Sequence, residues 1–192
     1  MFQKQLKSAF LVFLLLTVVT GIIYPFVITA VAQVFFYHQA NGSIILRDGR
    51  PVGSSLIGQH FEDPNYFWGR FSATSPVAYN ATASSGSNFG PLNMVLRQNV
   101  EARVKLLQNA DLENKNLVPI DLVTASASGL DPHISIAAAM YQVPRVARLR
   151  GIPKEKVAEI VRQNTQERFM GIIGEPVVNV LQLNMALDKY KR

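Results

Sequence analysis

Cysteine is absent from the 192 residues, which removes disulfide scaffolds, Cys-ligated zinc, iron–sulfur clusters and thiol catalysis together. Histidine is scarce. The three present, His38, His60 and His133, stand apart, with no second His and no acidic cluster at ligand spacing, so they read as structural. Charge is scarce too, at 17%, and unevenly placed: after Lys4 and Lys7 no charged side chain occurs until Arg47. Low-complexity bias is missing, since 12 Gly and 10 Pro are ordinary numbers, and 48% hydrophobic residues suffice for a packed core. The length suits one domain with an accessory segment and excludes a multidomain enzyme.

What fills the uncharged stretch is a long apolar run. From Ala9 to Phe36 it is broken only by Thr17, Thr20, Gly21, Tyr24, Pro25, Thr29 and Gln33. About 20 apolar residues cross a bilayer core, so this run predicts a transmembrane helix. The rival is a cleaved signal peptide, for which the basic start and Ala30-Val31-Ala32 speak; a signal core of about 7–15 residues is much shorter than this segment. Pro25 is tolerable in a membrane helix whose freed backbone groups find other partners. The flanking charges predict residues 1–8 in the cytoplasm, a span over 9–36, and residues 37–192 outside as one mixed α/β (α+β) domain. With the two leading lysines set aside, 17 basic and 13 acidic residues remain, a net of +4 too mild to indicate nucleic acid.

Within that domain, residues 43–52 read as a hairpin turning at Asp48-Gly49, a type I′ pair that needs positive φ. Residues 59–91 are rich in Ser, Asn, Gly, Pro and aromatics and read as a long ordered loop. Leu92, Leu96, Val100, Val104 and Leu107 predict a helix from Pro91 to about Asn109, and Leu117–Val123 suits a short strand. Further helices are expected over residues 136–150, bending or restarting at Pro144, and over 153–164. Asn179 with Gln182 forms a capping box before a last helix that frays at 189–192. The basic set Arg145, Arg148, Arg150, Lys154 and Lys156 reads as a solvated face.

Tests for chemistry give little. Gly53-Ser54-Ser55-Leu56-Ile57-Gly58 has phosphate-loop glycine spacing, but Gln59-His60 stand where Lys and Ser or Thr are required. Ser126, Ser128, Asp131 and His133 crowd into eight residues, which leaves open a membrane-anchored extracytoplasmic serine hydrolase using Ser126 or Ser128 with His133. A polar turn gives the same crowding, and neither Gly-x-Ser-x-Gly nor Ser-x-x-Lys occurs.

Seven segments together carry a resemblance. They are residues 39–43 (QANGS), 53–59 (GSSLIGQ), 66–70 (YFWGR), 87–91 (SNFGP), 123–135 (VTASASGLDPHIS), 142–147 (QVPRVA) and 174–184 (GEPVVNVLQLN). In this order they resemble the KdpC family of the bacterial Kdp potassium-transporting ATPase over nearly the whole chain. Trp68, Phe71, Val177 and Gln182 depart from the family pattern. The resemblance implies a non-enzymatic accessory subunit in the inner membrane. Its implied partners are a potassium-translocating subunit, an ATPase subunit, a small membrane subunit and lipid. It also implies a catalytic chaperone that raises the ATP affinity of the ATPase subunit, with no tightly bound cofactor and ATP possible in a ternary complex. The implied nucleotide contacts fall on Ser126, Ser128, Gly129 and Leu130, which conflicts with a domain outside the cytoplasm.

Overall fold

A computed structural model describes residues 2–190, and the chain divides into two compact units, 1–44 and 45–192. Residues 191 and 192, part of the expected fraying end, lie outside the described residues.

The first unit is built on one helix, α1 (Phe2–Phe35, 34 residues), long and apolar enough to cross a membrane, with none of its most apolar window buried. It is α-helical over Phe2–Val18, widens to π geometry over Val19–Ile23 and is α-helical again over Tyr24–Phe35. Pro25 explains the widening. A proline has no N–H and its ring collides with the carbonyl four residues back, here that of Gly21, so the turn before it loosens without ending the helix. The Tyr24 N–H reaches the Val19 carbonyl as part of this wider turn. Thr17 and Thr20 donate their hydroxyls back to the carbonyls of Phe13 and Leu16 at 2.8 and 2.7 Å, so neither donor is left unsatisfied in an apolar medium. A one-turn helix, α2 (Tyr37–Ala40), follows.

The second unit opens with the hairpin β1 (Ile44–Arg47) and β2 (Arg50–Ser54). Asp48 and Gly49 sit at φ +51° and +75°, the positive pair of a type I′ turn. Both strands are edges, which is why Pro51 fits. Helix α3 runs Met94–Ala110, three residues later than Pro91, because Asn93 is the cap: its side chain accepts the Val95 N–H. Of its predicted stripe, Leu107 is buried, Val100 and Val104 pack against the core, and Leu92 is almost fully exposed.

The expected strand over Leu117–Val123 does not form. Residues 120–122 make a 3₁₀ turn instead. Leu117 and Ile120 are exposed, so alternation there has no sheet to face. The Ile120 carbonyl takes bonds from the Thr124 N–H and hydroxyl, while Asp121 accepts the Ser135 N–H at 2.7 Å.

The core lies between one small sheet and three helices. Strands β3 (His133–Ser135), β4 (Thr165–Gln166) and β5 (Val177–Asn179) pair antiparallel in the order β3-β5-β4, with Ile134 opposite Val178. Helices α4 (Ile136–Arg150), α5 (Lys154–Gln163) and α6 (Val180–Lys189) close around Val146, Val157, Val161, Val178, Leu183 and Leu187, all fully buried. The chain does not restart at Pro144; α4 is one helix, held by the buried Val143 and Val146 on either side. Asn179 caps α6 by accepting the Gln182 N–H, as the capping pattern predicts.

Residues 59–91 contain no helix and no strand beyond a bridge from Phe71 to Ala125, yet they are ordered by long-range clamps. Asn184 accepts the Phe67 N–H and donates to the Phe67 carbonyl. Gln142 does the same for Trp68. Each amide thus imitates a strand neighbour for one loop residue, satisfying backbone groups that burial would otherwise orphan.

Part of the basic set corrects the expectation of a solvated face, while Arg148 and Lys154 are exposed as expected. Arg145 is only 2% exposed; its guanidinium donates to the carbonyls of Pro64 and Tyr66 and to Gln142, and stacks 4.3 Å from the Trp68 ring. Burial pushes this guanidinium down to about 10, against the opposing pull of Asp111, so it stays charged at neutral pH. Arg150 turns inward as well, lying over Tyr66 and bridging the Asn65 carbonyl to Asp188. Arg148 stands 2.9 Å from the buried Asp111 carboxylate, and Lys156 pairs with Glu159. Trp68, one of the departures from the family pattern, is therefore a core residue; Val177 lies in β5 and Gln182 in the first turn of α6.

Candidate functional site

Residues 123–133 leave the 3₁₀ turn, cross beside the 67–72 segment and enter β3. Two features fix their path. The Arg70 guanidinium donates to the Ala125 carbonyl and to Asp131 Oδ2, both at 3.2 Å, and the Tyr79 hydroxyl in turn donates to the Arg70 carbonyl at 2.6 Å. Burial pushes the Tyr79 phenol up to about 12, with Asp131 adding to the rise against the pull of Arg103 and Arg70. That hydroxyl remains a donor at any physiological pH.

The four residues likened to a nucleotide loop form a tight turn. Gly129, at φ +68°, donates its N–H to the Ser126 carbonyl at 3.3 Å. The Leu130 N–H goes to Ser128 Oγ at 3.1 Å. Their carbonyls are taken by outside donors: Ser84 Oγ on Ser128, Ser72 Oγ on Gly129, and the Gly58 N–H on Leu130. Ser126 is buried, whereas Ala127 and Ser128 are exposed at the tip. The N–H groups of Gly129 and Leu130, which a phosphate would need, are thus engaged inside the turn.

Asp131 and His133 do come together. Asp131 Oδ1 accepts the His133 N–H at 3.0 Å and lies 3.3 Å from Nδ1 of the ring. No hydrogen bond joins Ser126 or Ser128 to His133 among the described residues, so the serine hydrolase geometry is not assembled. His60 pairs with Glu62, and no cluster of three or more His, Asp or Glu suited to a metal occurs among the described residues.

Burial alone would raise the Asp131 pKa, but the bonds from His133 and the charge of Arg70 outweigh it and hold the carboxyl below its ordinary value. A carboxylate depressed in the folded state contributes stability that is complete above its unfolded pKa, and that stability is lost as pH falls through the folded value. We therefore expect a stability loss on acidification below about pH 4 that is smaller in Asp131→Asn, measured by urea unfolding across pH. Equal slopes for the two proteins would contradict the pairing.

Sequence reasoning singled out the 123–135 block but missed what holds it, namely Arg70, Ser72, Tyr79 and Ser84. The motif YFWGR did contain Arg70, and Asp131 is the single acidic residue of the 123–135 block, so one cation and one anion in matched segments were the available signal.

Comparison with known proteins covers almost the whole chain. The family model described as K+-transporting ATPase, c chain matches residues 6–189. A protein of Polaromonas naphthalenivorans named potassium-transporting ATPase KdpC subunit is 58% identical over 189 residues, 98% of this chain and 96% of that one. Proteins of the same name from Herpetosiphon aurantiacus and Dechloromonas aromatica are 57% and 56% identical, covering 96% and 99% of this chain and 96% and 100% of theirs. The chain belongs to the KdpC family of K+-transporting ATPases, as the ordered sequence blocks had indicated.

Proposed function

We propose that the chain is a non-catalytic subunit of an ATP-driven potassium uptake complex, anchored in the inner membrane by α1 with residues 1–8 in the cytoplasm and the folded domain outside. Its partners in this reading are the potassium-translocating, ATPase and small membrane subunits, with lipid around α1. Two lysines before the span and none in the ten residues after it favour this orientation, because basic residues stay on the cytoplasmic side.

In this reading the protein raises the ATP affinity of the ATPase subunit by linkage. Binding of the domain to one conformation of the complex shifts the population, and ATP affinity follows without contact between this chain and the nucleotide. The observation that carries the choice is the commitment of the Gly129 and Leu130 N–H groups within their own turn. A nucleotide cradle needs such groups free and aimed outward.

Steady-state ATP titration of the assembled complex tests it. The KM for ATP should rise several-fold when this subunit is left out, and should stay within about twofold when Ser128→Ala replaces the wild type, because the exposed Ser128 side chain serves only its own turn. A tenfold rise in KM for Ser128→Ala in a fully assembled complex would instead place ATP on the loop. An unchanged KM without the subunit would remove the chaperone role.

A further inference from the structure

Between β4 and β5 the chain makes a narrow hairpin whose end is apolar and uncovered. Phe169, Met170, Ile172 and Ile173 are 68%, 81%, 80% and 65% exposed. The hairpin has a defined shape: Phe169 and Ile173 exchange two backbone hydrogen bonds of 2.9 and 3.0 Å, and Met170 and Gly171 turn at φ +52° and +75°. Below the tip, Arg168 and Glu175 close an ion pair of 2.7 Å across the ribbon, and its root is fixed by Val178, fully buried in β5.

We propose that this tip inserts into the lipid surface of the bilayer. Three observations select lipid over a protein. The tip offers only a few hundred Å² of apolar surface, well short of the roughly 800 Å² per partner of a stable protein interface. A bilayer needs no complementary pocket. The same chain carries α1, and only residues 36–43 separate that helix from β1, so the domain is tethered beside a membrane and insertion is effectively intramolecular. The charge placement also fits. No charged side chain occurs from Phe169 to Gly174, and the Arg168–Glu175 pair stands about 7–10 Å below the end at strand spacing, matching a burial of about 5–10 Å with charges left at headgroup level.

The test uses the full chain in lipid vesicles. Because the protein has no cysteine, Ile172→Cys carries a single environment-sensitive fluorophore at an exposed position. We expect blue-shifted emission that falls at least twofold when lipids bearing a nitroxide just below the headgroup are included. In the Phe169→Asp, Ile172→Cys double variant the quenching should largely disappear. Water-like emission would overturn the proposal. So would a blue shift without quenching by the nitroxide lipid, since that result means a second copy covers the tip. Failure of ATP affinity to depend on this protein would leave the result untouched, so the two readings fall separately.

Discussion

Replacing Arg145 by Met is expected to destabilise the folded domain by about 3–5 kcal/mol, a large share of the roughly 5–15 kcal/mol that holds a domain together. The guanidinium is the buried donor to the Pro64 and Tyr66 carbonyls and also reaches Gln142, which orients Trp68. Met fills similar volume and keeps helix propensity, so the loss reports stranded acceptors and not a cavity. Each buried acceptor left without its donor costs about 1–3 kcal/mol. Lys is a poor substitute because one ammonium cannot replace the planar fork that reaches two carbonyls and the Gln142 amide oxygen while standing over the Trp68 ring. Trp68 is the single tryptophan, so its fluorescence during urea unfolding of the full chain in detergent reads the relevant site. A loss under about 1 kcal/mol would show that residues 59–70 hold their path without Arg145.

The second large effect is expected at Gly129→Ala, about 2–4 kcal/mol. Gly129 adopts φ +68°, which costs an L residue about 1–2 kcal/mol, and a Cβ there would meet the Ser85 carbonyl oxygen and Thr74 Cγ2 at 2.6 Å each. The first neighbour is backbone, so relief requires moving residues 84–86, the stretch that also holds the Ser128 carbonyl. Gly49→Ala separates the two causes. Its φ is +75°, but nothing lies within 4 Å of an added Cβ, so only the conformational cost of about 1–2 kcal/mol applies. Equal losses at both positions, measured by the same unfolding experiment, would mean that the close packing of Gly129 carries no energy.

These two residues also mark where sequence reading succeeds and stops. The long apolar run, the Asp48-Gly49 turn, α5 and the Asn179 cap are local signals: composition, a positive-φ pair, a periodicity and a side chain three residues from the N–H that donates to it. Gly129 sat inside a block recognised as a unit, though its close packing on Ser85 was not visible. Arg145 was misjudged because a basic residue among basic neighbours gives a solvated pattern, while its partners lie about 80 residues earlier in a loop without periodicity. Gln142 and Asn184 fall in the same class, with backbone partners 74 and 117 residues away. The strand expected at 117–123 shows the converse. Its alternation is imperfect, and Pro119 and the Ile120 carbonyl commit the chain to a turn.

The side of the membrane on which the domain lies decides whether ATP use is affected by contact or by linkage, and cysteine labelling reads it directly. Since the chain has no cysteine, Glu155→Cys on the exposed start of α5 provides one reactive site without background. A membrane-impermeant maleimide applied to intact spheroplasts should label this position as fully as it does after lysis, with cytosolic thiol proteins unlabelled. Labelling that appears only after lysis would put the domain in the cytoplasm and contradict the account.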